Sequence, residues 1–251
     1  MDEIQMMPLA GCHEPVSSLS HFLGAFYFAW LATQLVRRGR GDWARTSSLT
    51  IMGSCSVLLL FLSSCYHYFV PGPMREFLVR ADISAIFLVI AGSMTPVHAI
   101  LFRGIARWLP LVLIWTAAFV GIILRMMFYE AMDGRAGIAV FMLFGWAGTI
   151  TFYVLWRRFG WAFVKPALLS GLCYTAGAVA LLLHRPILVA GVIGPHEFWH
   201  ISVLFGLGLH WYFVSQFAAG YEPASVRYEL ASVSYELESH DYEESQGLAN
   251  C

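Results

Sequence analysis

Charge is what this chain has least of. Only 12% of its 251 residues are Asp, Glu, Lys or Arg, while 59% are hydrophobic; soluble chains run near 25% charged. That scarcity excludes an ordinary soluble domain. A net charge of −1 supplies no overall field to attract nucleic acid or another charged partner. A disulfide framework is missing too. The five cysteines (12, 55, 65, 173 and 251) are odd in number and scattered, mostly in apolar stretches, and read as small packing residues. No Lys or Arg occurs in "MDEIQMMPLAGCHEPVSS", so the basic start of a cleavable signal peptide is lacking and insertion would rely on the first membrane helix. Barrel-type alternation is absent as well. Open strands cannot cross a bilayer, which leaves helices.

What the chain does have is long apolar blocks. Seven emerge, at about 19–36, 48–70, 82–102, 108–128, 137–156, 163–184 and 197–219, against the roughly 20 residues a helix needs to cross hydrocarbon. They predict an all-α membrane protein, a seven-transmembrane helix bundle over 19–219 preceded by an N-terminal segment, 1–18. Polar or Gly/Pro-rich connections such as "RRGRGDWAR" and "PGP" separate the blocks. The apolar "ILVAGVIG" before the last block is too short to span and reads as a loop or interfacial segment. Trp43, Trp108, Trp156 and Trp161 fall near block ends, where an aromatic belt would place them. Pro96 predicts a kink in the third helix.

From Tyr221 the composition flips to seven acids against one base, Arg227, with "VRYELAS" echoed by "VSYELES". Residues 220–251 are expected to be a disordered or weakly helical tail outside the bilayer, with no partner that can be named. Lys and Arg number five on the N-terminal side of the bundle and ten on the other, which favours an outside N-terminus by the positive-inside rule.

Ionisable side chains inside membrane segments are expensive and mark function by default. In an alternating bundle the end of the second helix and the starts of the third and seventh lie on one face. His67, Asp82, His196 and His200 therefore converge. His196 and His200, in "HEFWH", are i and i+4, about 40° apart around a helix and 6 Å along it, so both imidazoles can face one metal. His67 could supply a third nitrogen, leaving a tetrahedral Zn²⁺ one open position, as in catalytic sites. Ser63, one turn deeper than His67, and Asp82 could hold a water there. Asp82 could also orient an imidazole or accept a proton.

His210 is about 15 Å beyond His200 along the helix and reads as an interhelical hydrogen bonder. His98 and His184 read as lying near segment ends on the opposite face, and His13 and His240 as lying outside the core. "HEFWH" also matches the H-E-x-x-H of zinc proteases, in which the glutamate is the base. Glu197 sits about 100° around the helix from His196 and can face away from the metal.

These pieces together resemble the hemolysin III branch of the progestin and adipoQ receptor superfamily. "SSCYH" (63–67) is similar to its S-x-x-x-H, and "RADISAIFLVIAGSMTP" (80–96) to its Asp-led third helix. "HEFWHISVLFGLGLH" (196–210) is similar to its H-x-x-x-H seventh helix. "EPVSSLSHFLG" (14–24) resembles the family's E-x-x-N-x-x-S-H-x-x-G entry, with Ser17 where Asn is usual. The resemblance spans about 14–219. It implies seven membrane helices, zinc on His67, His196 and His200, and a water held near Ser63 and Asp82. It also implies a zinc face in the cytosol, opposite to the charge count.

The function this implies is a zinc-dependent hydrolase of the cell membrane (the inner membrane, if the cell is Gram-negative) acting on a lipid, with a ceramide-like amide as one candidate. Asp82 and Ser63 would be its catalytic groups, and its partners would be the bilayer and a lipid substrate, not nucleic acid. One alternative is a receptor or stress sensor with a structural zinc. A more remote one is an intramembrane metalloprotease, for which Asp133 in "MDG" would have to be a distant ligand.

Overall fold

A computed structural model describes residues 13–131 and 133–220. The tail expected from 220 onward lies outside the described residues apart from Gly220, as do the first twelve positions. Among the described residues the chain is all-α. Its helices are α1 (Pro15–Arg38), α2 (Trp43–Tyr68), α3 (Pro73–Leu101), α4 (Ile105–Met127), α5 (Gly134–Trp146), α6 (Thr149–Phe159), α7 (Trp161–Leu183) and α8 (Pro195–Ser215), with a single 3₁₀ turn, Tyr129–Ala131, after α4.

Local chemistry sets the helix starts. Pro15, Pro73 and Pro195 open α1, α3 and α8, where a missing N–H breaks no helical hydrogen bond. Asp42 caps α2 by accepting from the Arg45 amide at 2.9 Å. The third helix begins nine residues before its apolar block, because Arg75, Glu76 and Arg80 hide its first turns from a hydropathy reading. Asp82 is consequently inside α3 and does not open it. The fifth block is two helices. At the break, the Gly148 amide donates to the Gly145 carbonyl at 3.3 Å and the Thr149 hydroxyl donates to the Trp146 carbonyl at 2.6 Å. This is a tight i to i+3 turn inside a span. The third helix continues through Pro96, and beside the proline the Thr95 hydroxyl donates to the Ala91 carbonyl at 2.8 Å.

Among the described residues six stretches are long and apolar enough to cross a membrane: α1, α2, α3, α4, α5 with α6, and α7. The last helix is not among them. At 21 residues it is about 31 Å long, and its Glu197, His200, Ser202 and His210 are buried. It is the polar inner helix, packed against α7, α1 and α3. By contrast α4 buries only Leu111, Ala118 and Arg125 and leaves Val112, Leu113, Phe119, Val120 and Ile123 uncovered, a surface suited to lipid. Trp43, Trp108, Trp156 and Trp161 are all exposed and sit at the ends of α2, α4, α6 and α7 on the face where α1 ends. The stretch before α8 is a loop, closed by Leu188 and Val189 amides on the Ile193 carbonyl at 3.0 and 3.1 Å.

Small residues bring the inner helices together. A Cβ on Gly92 would fall 2.9 Å from the Cβ and Sγ of Cys55, so α2 and α3 touch where a glycine meets a small thiol. Among the described residues Cys55, Cys65 and Cys173 are free, in keeping with a packing role.

Candidate metal centre

Three imidazoles converge where α2 ends and α8 begins. His67 Nε2 lies 3.2 Å from His196 Nε2, and His196 Nε2 lies 3.1 Å from His200 Nε2. One ligand atom from each of the three falls within 4.8 Å of the others. Nitrogens about 2.0–2.1 Å from a tetrahedral zinc stand roughly 3.3 Å apart, so the donor set fits such an ion. His67 and His200 are buried, and His196 is partly so.

The first turns of α1 brace this cluster. His67 Nδ1 donates to the Glu14 carboxylate, which fixes the tautomer and leaves Nε2 with a lone pair turned to the other rings. Burial, the largest influence on Glu14, pushes its pKa up. The hydrogen bonds and charges of His67 and Arg75 outweigh it and hold Glu14 down to about 2, so Glu14 remains an acceptor at physiological pH. Arg75 Nη2 donates to Glu14 at 2.5 Å, and its Nη1 donates to the Tyr66 and Phe69 carbonyls at 3.0 and 2.8 Å. That guanidinium joins the start of α3 to the end of α2 and to the residue that caps α1. One helical turn on, the Ser18 hydroxyl donates to the Ser64 carbonyl at 3.0 Å. His21 stacks on His200 with ring centroids 3.9 Å apart.

Glu197 faces away from the cluster. Its Oε1 accepts from the Ser17 hydroxyl at 2.8 Å and its Oε2 from the Gly194 amide at 2.9 Å. It is a buried helix cap, with both oxygens engaged.

Asp82 on α3 and Ser63 on α2 form a pair. Ser63 is buried, one turn deeper than His67 on α2, and its hydroxyl is within hydrogen-bonding reach of the half-buried Asp82 carboxyl. Asp82 is not within the ligand group of the three histidines.

The remaining histidines do other work. His210 Nε2 donates to the Ser93 carbonyl at 3.0 Å, the expected interhelical bond. His98 bonds the Ala106 carbonyl at 3.1 Å and the Thr151 hydroxyl at 3.2 Å. His184 is the left-handed C-cap of α7, at the end where α8 begins, so it lies on the histidine face and not on the opposite one. Asp133 is exposed and caps α5 through the Arg135 amide at 3.2 Å, and it is not in the ligand group of the three histidines.

Sequence reading missed three roles: Glu14 on His67, Arg75 on Glu14, and His21 on His200. The signal was available in the spacing. Residues 14, 18, 21 and 25 recur every three or four positions, with 17 beside them, which puts them on one helical stripe.

The chain is also similar in sequence to known proteins. Residues 11–211 match the model of a family described as Haemolysin-III related. The chain is similar to "Hemolysin-3" of Bacillus cereus, 26% identical over 203 residues, or 80% of this chain and 90% of that one. It is also similar to the "Hemolysin-3 homolog" of Bacillus subtilis (strain 168), 29% identical over 160 residues, or 63% of this chain and 71% of that one. With the match covering residues 11–211, and six apolar spans among the described residues, the chain belongs to the Haemolysin-III related family and is a multi-pass membrane protein.

Proposed function

We propose that the chain is a zinc-dependent hydrolase of the cell membrane acting on a lipid, with an amide of the ceramide type as the leading substrate class. The observation that carries this reading is the convergence of His67, His196 and His200, with ring nitrogens 3.1–3.2 Å apart, on the face that also holds Asp82 and Ser63. His67, His196 and His200 would hold the ion, and Glu14 would keep the His67 ring in register. Bound zinc supplies Lewis-acid polarisation of a carbonyl and lowers the pKa of water. Asp82 would orient the attacking water and take its proton, and Ser63 would hold the Asp82 carboxyl in place. Substrate would enter sideways between helices, as suits a site about two turns inside α3.

A second reading has one observation in its favour. The cluster and its braces join α1, α2, α3 and α8, as a structural ion in a receptor or sensor would. Asp82→Asn separates the two. The purified, zinc-loaded protein is offered a panel of lipid amides and esters, and turnover and zinc content are measured together. The hydrolase reading expects wild-type turnover of at least one lipid, and an Asp82→Asn protein that keeps its zinc and loses that turnover. No turnover of any lipid by the zinc-loaded wild type would favour the sensor. Undiminished zinc in His67→Ala, His196→Ala and His200→Ala alike would remove the metal from both readings.

A further inference from the structure

Arg125 is buried in the last turn of α4, only 6% exposed. Its Nε and Nη1 are sealed from solvent and have no hydrogen-bond partner. A guanidinium stays charged and carries five N–H donors, and a buried cation is tolerated when acceptors and an opposite charge meet it. Here the described residues give it only the face of Tyr129, 5.1 Å from its Cζ.

The surroundings point to what is missing. Arg80 of α3 also lies over Tyr129, at 5.3 Å, so two guanidinium groups share one ring. The Arg80 partner is Glu130 at 3.2 Å, a carboxylate 83% exposed and easily displaced. Arg125 is turned towards the start of α5, where a Cβ on Gly137 would lie 3.4 Å from Nη2 and 3.5 Å from Nη1. The first turn of a helix favours anions, and an unpartnered arginine aimed at it adds donors of its own. Asp133 already caps one amide of that turn, which leaves the arginines as the main donors. All of this lies at the end of α4, on the histidine face.

We propose that Arg125 and Arg80, beside the start of α5, form a binding site for a phosphate group, taken from a membrane lipid headgroup or from free phosphate. The phosphate displaces Glu130 from Arg80 and supplies the acceptors that Arg125 lacks. The proposal is independent of the zinc reading.

The test is thermal unfolding of the full chain in maltoside micelles with dioleoyl phosphatidic acid, inorganic phosphate, or diacylglycerol as the phosphate-free lipid. Saturating phosphatidic acid is expected to raise the wild-type midpoint by about 5 °C or more, and diacylglycerol is expected to leave it unchanged. A rise with inorganic phosphate as well assigns the site to the oxyanion itself; a rise with phosphatidic acid alone assigns it to a lipid headgroup. Arg125→Leu should abolish the rise and, without added lipid, be at least as stable as wild type, since it removes an uncompensated buried charge. Should Arg125→Leu fail to fold, Arg80→Ala, at a partly exposed position, carries the same comparison. The proposal falls if neither phosphate source moves the wild-type midpoint, or if the variants respond as wild type does.

Discussion

The Ser17 hydroxyl and the Glu197 carboxylate, 180 positions apart in the chain, meet at 2.8 Å. With the Gly194 amide on the other oxygen at 2.9 Å, Glu197 is at once the cap of α8 and its brace to α1. The acid that makes "HEFWH" look like a protease motif therefore has each oxygen engaged in holding α8, one to α1 and one to the α8 start.

Glu197→Ala should accordingly cost stability and spare the metal. Losing two buried hydrogen bonds and a helix cap amounts to about 2 kcal/mol, which for a chain of this length lowers the unfolding midpoint by roughly 4–8 °C. Zinc per protein, measured by elemental analysis, should stay at the wild-type value. A protein of unchanged midpoint that has lost turnover would instead make Glu197 a base.

The bundle was legible in the sequence because apolar blocks and their punctuation are local properties. His196 and His200 were legible for the same reason, since i and i+4 on a helix fixes their relation without tertiary structure. Topology alone added His67 to their face. The α3 start was hidden, because Arg75, Glu76 and Arg80 make its first turns look like a loop although Arg75 is anchored to Glu14. The break at Gly148 was hidden as well, in a block with no internal proline. The roles of Glu14, Ser17 and His21 depend on which helix lies beside α1, and that adjacency is not a property of any one segment.

Glu14→Gln should weaken the metal without unfolding the protein. The amide can still accept from His67 Nδ1, but it removes the negative charge shared by His67 and Arg75. Losses of this kind at the partner of a ligating histidine cost about 10–100-fold in metal affinity. Competition against a zinc chelator of known affinity reads this directly. Arg75→Ala should shift affinity in the same direction, because it frees Glu14 from the ends of α2 and α3. Wild-type affinity in both variants would reduce the Glu14–His67 contact to packing.

His21→Phe and His21→Ala should differ. The His21 ring lies flat on His200, 3.9 Å away at 28°, and its two nitrogens are buried with no hydrogen bond of good geometry, although the ring is near the His200 backbone. If stacking is its contribution, phenylalanine keeps it and alanine leaves a void that frees the His200 ring. Chelator competition should then give near-wild-type zinc affinity for His21→Phe and a loss of about tenfold for His21→Ala. The reverse order would mean that the imidazole nitrogens matter more than the face.

Gly177 and Gly208 offer a paired test of how α8 is held. A Cβ on Gly177 would fall 2.8 Å from Ser202 Cβ and from Trp199 Cε3, so Gly177→Ala must push α7 from the helix that carries His196 and His200. Overpacking of this sort costs about 1–3 kcal/mol, and the displaced α8 should release zinc more readily. A Cβ on Gly208 meets nothing within 4 Å. Gly208→Ala should therefore gain roughly 0.5–1 kcal/mol of helix propensity and leave zinc affinity alone. If the α7–α8 contact positions the site, thermal unfolding gives opposite signs for the two variants and chelator competition shows a loss for Gly177→Ala alone. Equal behaviour would show that α8 can shift against α7 without disturbing its histidines.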